Sequence, residues 1–394
     1  MSEVDPYDAL LYTPGLFPAT HPGVLATMAR TFGVPAPEPA TCRVLELGCG
    51  LGTNLLAMAE SLPDATFVGL DASARQIEVG EADRRALGLD NVRLLHADLA
   101  ESTAALGEFD YIVCHGVYSW VPSTIRARIL AIAADQLAPS GVAYVSYNAL
   151  PGWAFRGVVR QALVRHVDRT LPPIEQVASA RSFLELWHSG LDGPSNARAA
   201  ALGRELEALL DMPDAYLFHE HLAGENQAFY GREVIAAAQA HGLDYLGDTE
   251  LHCMTPEARG AEVARGIARR ARRLAEAEEL LDLMQVRAFR RSLFVRNTAP
   301  VKRALGPHTL AHTWIEGQLE RVEGDGRDFR GANGMEVTAA NPLVAAALSI
   351  LQDTWPGRIA FTALLERAAA ASGSDGGPAG AQSLGSSLLR LWAV

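Results

Sequence analysis

The run Glu46-Leu47-Gly48-Cys49-Gly50-Leu51-Gly52-Thr53-Asn54 constrains this chain more than any other. It follows the apolar strand signal Arg43-Val44-Leu45 and leads into a helical pattern. Glycines between a strand and a helix supply positive φ angles and a bare backbone that a ligand can approach. The helix that follows points its free N–H groups at that ligand. An aspartate stands at each of the next two strand ends. Asp71 closes Thr66-Phe67-Val68-Gly69-Leu70, about 20 residues past the glycines, where a carboxylate can hold the two hydroxyls of a ribose. Asp98 closes Val92-Arg93-Leu94-Leu95-His96-Ala97 at the same sheet edge. Such an edge suits a cofactor that contains adenosine.

The spacing narrows the choice of cofactor. A dinucleotide fingerprint reads G-x-G-x-x-G, whereas this chain reads G-x-G-x-G with Glu46 two residues ahead of the first glycine. A carboxylate at that point suits a cation better than a pyrophosphate. S-adenosylmethionine carries a sulfonium and an amino group and no phosphate. The pattern resembles the first motif of the class I S-adenosylmethionine-dependent methyltransferases, which implies Asp71 on the ribose and Asp98 near the adenine. The alternatives are a nicotinamide or flavin enzyme, or a strand-turn-helix with incidental glycines.

The 394 residues suggest two or three domains, and 49% hydrophobic residues suffice for sizeable cores. No apolar run approaches the ~20 residues needed to span a bilayer, and the acidic Met1-Ser2-Glu3-Val4-Asp5 lacks the order of a signal peptide. Cys42, Cys49, Cys114 and Cys253 are scattered without a C-x-x-C pair. Structural zinc and a disulfide frame are not expected, and a reducing cytoplasm fits. The net charge of −12 is uneven, because residues 1–150 hold 8 arginines, no lysine and 17 acidic residues. That balance disfavours nucleic acid as a partner, since neutralising phosphate supplies most of its binding energy. It favours a cationic substrate, with solubility as the plainer explanation.

Alternating signals predict strands at 43–47, 65–70, 91–96, 109–115 and 141–147, with helices at 53–61, 73–88 and 123–138. This is an α/β pattern: a Rossmann-like parallel sheet covered on both faces, with ligands at the carboxyl ends of the strands. From 151 the pattern turns helical over 158–169, 175–188 and 197–210. A helix at 230–241, the run Leu243-Asp244-Tyr245-Leu246 and the run 290–296 can supply the last helix and two strands of the sheet. The expected organisation is a cofactor-binding core at 1–154, a helical substrate or regulatory insertion at 155–228, a return to the core sheet at 229–300 and a C-terminal domain at 301–394. The competing organisation is a separate all-helical domain with one hairpin. The arginine-rich stretch Glu257 to Met284 is expected as one long helix with a solvated face, and helices are expected at 342–351 and 359–370. A flexible link over 372–378 precedes a last apolar segment.

Several local strings carry a closer resemblance. They are Tyr7-Asp8, Phe17-Pro18-Ala19-Thr20-His21-Pro22, His115-Gly116-Val117-Tyr118-Ser119-Trp120-Val121-Pro122, Tyr144 to Asn148 with Pro151-Gly152-Trp153, and His219-Glu220-His221-Leu222. The chain resembles the bacterial methyltransferases that carry a methyltransferase regulatory domain, a family that includes the rickettsial protein lysine methyltransferases. The resemblance covers roughly 5–370 and implies a winged-helix-like C-terminal domain. It implies a cofactor site of Tyr12, Glu46, Gly48, Cys49, Gly50, Gly52, Asn54, Asp71, Ala72, Asp98, Leu99, His115 and Gly116. The segment around Tyr12 and His21 is implied to fold over the cofactor. Tyr118, Tyr147 and Asn148 are expected to carry the transfer, and His21, Trp120 and Trp153 to bind the substrate. Each has a structural alternative: the tryptophans as core, the histidines as partners of backbone groups. His219-Glu220-His221 lacks H-E-x-x-H spacing and a third ligand, so no metal is expected.

The implied reaction is in-line methyl transfer from S-adenosylmethionine, with S-adenosylhomocysteine as the product. The first expectation for the acceptor is a lysine or other amine of a protein or peptide. The second is a small molecule methylated on N or O, and the third a non-catalytic cofactor-binding subunit. No membrane association is expected, and a homodimer is left open.

Overall fold

A computed structural model describes residues 10–12, 15–101, 103–191, 196–311, 313–322, 324, 327–332 and 334–392, so Tyr7-Asp8 lies outside the described residues. Five parallel strands come first: β1 (Arg43–Leu47), β2 (Thr66–Asp71), β3 (Val92–His96), β4 (Phe109–Cys114) and β5 (Leu137–Asn148). Helices α2 (Thr53–Ser61), α3 (Ala74–Leu87) and α4 (Ser123–Gln136) follow β1, β2 and β4, and α1 (Pro22–Thr31) precedes the sheet. Ser73 caps α3 by accepting the Gln76 amide at 3.1 Å, and Gly88 ends that helix in the left-handed conformation. The fifth strand begins at Leu137, ahead of the predicted 141. A register shift between Phe109 and Tyr111 lets Leu137 pair with Phe109, and Arg296 Nε donates to the Leu137 carbonyl at 2.6 Å.

Next come α5 (Trp153–His166), α6 (Pro173–Ser189) and α7 (Ala197–Leu210), then a π-helical turn over Leu217–Leu222. Their apolar faces meet in one core of Val159, Leu163, Ala180, Leu184, Leu206, Leu217 and Leu222. The chain then returns to the sheet through α8 (Gly231–Ala240), β6 (Leu243–Asp248), α9 (Ala261–Arg270), α10 (Leu274–Gln285) and β7 (Phe289–Arg296). The strand order is β3-β2-β1-β4-β5-β7-β6, with β7 antiparallel to both neighbours. The sheet is therefore completed by strands that lie after the helical stretch in sequence.

The expected long helix over 257–284 is broken. Gly260 takes φ +96, Arg273 is extended, and the Glu276 carboxylate accepts the Arg272 amide at 2.7 Å, starting a new helix. The returning segment is fastened by buried charges. Arg290 on β7 is fully buried and donates to Asp282 Oδ2 at 2.8 Å, Glu278 Oε2 at 2.7 Å and the Tyr245 hydroxyl at 2.7 Å. Arg287 reaches Asp248 at 2.8 Å. Gly231 is required here, since a side chain would overlap the Arg290 guanidinium. Removing one partner of such a cluster strands the others and typically costs about 3–5 kcal/mol.

Contacts divide the chain into two compact units, one of residues 1–26, 36–249 and 265–299, the other of 27–35, 250–264 and 300–394. The helical stretch belongs to the first. In the second, β8 (Trp314–Ile315), β9 (Leu319–Arg321), β10 (Asp328–Gly331), β11 (Glu336–Thr338), α11 (Pro342–Thr354), β12 (Ile359–Ala360), α12 (Phe361–Ser372) and α13 (Pro378–Trp392) enclose a core of Phe329, Leu348, Leu364 and Leu384. Three helices beside a three-stranded and a two-stranded antiparallel sheet make up this C-terminal part. Among the described residues no helix is long and apolar enough to cross a membrane.

Candidate active site

The carboxyl ends of β1, β2, β4 and β5 open into a cavity of about 620 Å³. Its first wall is the glycine turn. Gly48, Gly50 and Gly52 all take left-handed φ (+74°, +56° and +71°), and a side chain on Gly48 would overlap Val117. Asp71 closes the turn: Oδ2 accepts the Gly50 amide at 2.7 Å and Oδ1 the Ser73 amide at 2.9 Å. Glu46, Gly48, Cys49, Gly50, Asn54, Asp71, Ala72, Asp98, Leu99, His115, Gly116 and Tyr12 all line the cavity. Gly52 does not. It starts α2 from beneath, against the Leu94 side chain, so it shapes the turn rather than the wall.

Glu46 is the electrostatic centre of this wall. Its carboxyl is 3% exposed, Oε1 accepts from Asn54 Nδ2 at 3.0 Å, and the buried Oε2 has no hydrogen-bond partner. Burial pushes its proton affinity up to about 8, against the lowering effect of the Asn54 bond. A buried, half-satisfied carboxyl at the head of a glycine turn is where a cationic ligand would restore the missing interaction. The glycine turn and the orphaned carboxyl oxygen fit the cationic S-adenosylmethionine, and among the described residues lining the cavity Arg156 is the one arginine and there is no lysine to cradle a pyrophosphate.

The N-terminal segment forms a second wall. Phe17 N–H donates to Asn54 Oδ1 at 3.1 Å, and Asn54 Nδ2 also reaches Thr20 Oγ1 at 3.0 Å. Phe17 stacks on His115 with ring centroids 3.8 Å apart. His115 contacts the Tyr144 hydroxyl at 2.8 Å through Nδ1, and burial, aided by Arg291, drops its pKa to about 4, so the ring is neutral. His21 lies off the cavity wall. Its Nδ1 accepts the Gly23 amide at 3.0 Å at the start of α1, the backbone contact given above as its structural alternative.

The third wall differs most from expectation. Trp120, Trp153 and Asn148 line the cavity, but Tyr118 and Tyr147 do not. Successive residues of a strand face opposite sides. Tyr144, Ser146 and Asn148 point toward the cavity side, where Ser146 Oγ accepts the Gly116 amide at 2.9 Å. Tyr147 faces the other way, buried among core residues with its hydroxyl 2.9 Å from Ser292. Tyr118 packs between Tyr147 and Phe229, at 6.2 and 5.5 Å, and burial pushes its phenol up to about 12. Both tyrosines are core residues.

The remaining wall comes from residues that the sequence reading did not assign to the site. Phe289 is paired with Asn148 across β5 and β7, and Arg156, Tyr216 and Glu220 come from the helical stretch. The signal for Glu220 was the His219-Glu220-His221 string. The π-turn sends its three side chains apart: His219 Nε2 lies 2.6 Å from the Leu10 carbonyl, Glu220 accepts from the Tyr12 hydroxyl, and His221 stacks beside Trp153. Among the described residues, one group of metal-ligand types, Glu250, His252 and Cys253, gathers within 4.8 Å in the second unit. There Cys253 Sγ already donates to Glu250 at 3.6 Å.

Comparison with known proteins agrees with this geometry. A family model described as a methyltransferase domain matches residues 44–141. Another, described as a predicted methyltransferase regulatory domain, matches 213–296. The uncharacterized protein RP028 of Rickettsia prowazekii is 34% identical over 233 residues, 59% of this chain and 93% of RP028. The chain belongs to the class I S-adenosylmethionine-dependent methyltransferases that carry a methyltransferase regulatory domain. The uncharacterized protein RP789 of the same organism is 34% identical over 303 residues, 77% of this chain, and the chain spans 55% of RP789. PKMT2 from Rickettsia typhi, solved also in complex with AdoHcy, matches 97% of this chain and 76% of its own, at TM-scores of 0.84 and identities of 26% and 27%. In this chain the regulatory match takes in the π-turn, α8, β6, α9, α10 and β7, of which β6 and β7 complete the sheet and the π-turn and β7 contribute to the cavity wall.

Proposed function

We propose that this chain transfers a methyl group from S-adenosylmethionine to an amine, a lysine of a protein or peptide. The carrying observation is Glu46 Oε2, a buried carboxyl oxygen without a partner at the head of the glycine turn. Glu46 and Asn54 would hold the cationic amino-acid end, Asp71 the ribose, and Asp98 with Leu99 the adenine. S-adenosylmethionine supplies an electrophilic methyl and a good leaving group. The chain's task is to align the acceptor, worth roughly 7–11 kcal/mol, and to present it without its proton. A free lysine has a pKa of about 10.4, so a neutral amine at pH 7 costs about 4.6 kcal/mol in water. Burial between Trp120, Trp153 and Phe289 lowers that cost by disfavouring the charge. Asn148 is 2% exposed and lines the cavity, where its amide oxygen would accept an amine N–H and so leave the lone pair aimed at the methyl. The likeness to PKMT2 over 97% of the chain supports a lysine acceptor.

A second reading has its own support. Arg156, Tyr216 and Glu220 from the helical stretch help enclose the cavity, which favours a small-molecule acceptor methylated on N or O. Labelling separates the two. Lys302 is the single lysine of the chain, so a Lys302→Arg variant can contribute no labelled lysine of its own. Incubated with a lysate and tritiated S-adenosylmethionine, it is expected to place label on lysines of the protein fraction. Label confined to the small-molecule fraction would establish the second reading.

A further inference from the structure

Glu220 is a carboxyl group in the cavity wall for which no described residue supplies an ion pair. Its Oε1 accepts the Tyr12 hydroxyl at 3.0 Å, and no ion pair forms to it among the described residues. Arg156 acts on it electrostatically but is engaged elsewhere. That guanidinium lies 3.6 Å from Glu205, 3.2 Å from the Tyr216 hydroxyl and 5.5 Å above the Trp153 ring. Arg160 on the same helix turns to the carbonyls of Ala223 and Gly224. Of the histidines beside it, His219 meets the Leu10 carbonyl, and His221 is held neutral because burial drops its pKa to about 3. Trp120, Trp153 and Tyr216 line the same cavity as this carboxyl, and Tyr216 is close enough to interact with it electrostatically. An acid with no ion pair, in a cavity that also presents aromatic faces, is a site for an organic ammonium.

We propose that Glu220 is the amine anchor of the acceptor subsite: its carboxylate takes the ammonium of the incoming lysine side chain while the aromatic faces hold the alkyl stem. The proposal rests on the amine-methyltransferase reading. The same carboxyl resolves a difficulty of that reading, since the acceptor must lose a proton before it can attack. As the site desolvates, a carboxylate–ammonium pair becomes less favourable relative to carboxylic acid plus amine. One ammonium N–H bond breaks, one Glu220 O–H bond forms, and a neutral amine remains. Burial already lifts the Glu220 carboxyl to about 7, the range in which a group accepts a proton and releases it. Tyr12 opposes that lift by donating to the charged form.

The test is binding of Nα-acetyl-lysine amide and its uncharged analogue Nα-acetyl-norleucine amide to the full chain saturated with S-adenosylhomocysteine, followed by saturation-transfer NMR between pH 6 and 8.5. The lysine probe is expected to bind about tenfold tighter than the norleucine probe at pH 8, with the preference fading below 7 as Glu220 takes up its proton. Glu220→Gln should abolish the preference and leave nucleoside binding unchanged. Tyr12→Phe should move the midpoint to higher pH, which a merely structural Glu220 would not do. If Glu220→Gln weakens nucleoside binding as well, the Tyr12→Phe midpoint decides. An unchanged lysine preference in Glu220→Gln, or none in the wild type while S-adenosylhomocysteine binds, overturns the anchor and leaves the methyltransferase reading intact. A wild type that does not bind the nucleoside overturns both.

Discussion

The two halves of the cavity are made from different kinds of sequence. The cofactor half comes from consecutive strand–turn–helix units: the glycine turn after β1, Asp71 after β2 and Asp98 after β3. Its geometry is local, because positive φ angles and short hydrogen bonds such as Gly50 N to Asp71 fix the turn and Asp71 within about thirty residues, with Asp98 at the end of the next strand–helix unit. The half proposed to take the acceptor gathers Tyr12, Trp120, Asn148, Trp153, Glu220 and Phe289 from across nearly three hundred positions. Only the fold brings these together, through β7 beside β5 and the π-turn against the N-terminal segment. Local halves are fixed by motif, and distant halves are free to vary with the acceptor. That division accounts for one cofactor serving many substrates on one sheet.

The largest effect that would test this division is Gly48→Val. It forces a side chain into Val117 at a left-handed position, and calorimetry should find S-adenosylhomocysteine binding weakened by more than about 100-fold. Near-normal affinity would mean that the turn does not carry the nucleoside. Glu46→Gln should weaken binding by about 10- to 100-fold and yet stabilise the free chain in base. The folded Glu46 pKa of about 8 lies above its ordinary value of 4.5. Its contribution to stability is therefore complete below about pH 4.5 and is lost as pH rises through about 8, and glutamine removes that loss. Thermal unfolding without nucleoside should show the variant gaining on the wild type between pH 6 and 8.5.

Trp120→Ala addresses the other half alone. The acceptor KM should rise by about tenfold with the cofactor Kd changed less than about twofold. Equal losses in both would dissolve the distinction between halves. The smallest effect is expected of Tyr147→Phe. It removes a core hydroxyl bonded to Ser292, so stability should fall by about 1 kcal/mol while kcat stays within about threefold. A collapse of kcat would return Tyr147 to the chemistry.

What the sequence revealed follows the same line. The order of the first five strands, the glycine turn and both aspartates were legible because each is a short-range pattern. Tyr147 and Asn148 were both expected at the reacting end, although the period of two in a strand allows one of them there. The core pattern Ala143, Val145, Tyr147 marks the buried face. Glu220 was visible as an odd string, but its meaning depends on Tyr12, 208 positions away. The break in the helix over 257–284 rests on Gly260 and on Glu276 capping back to Arg272, which helical periodicity alone does not display.

Proton release on cofactor binding tests the central claim most directly. S-adenosylmethionine is titrated into the wild type and Glu46→Gln at pH 7 in two buffers of different ionisation enthalpy. With Glu46 largely protonated in the free chain, a bound cation should expel close to one proton more from the wild type than from the variant. Equal proton release and equal affinity in the two proteins would contradict the account.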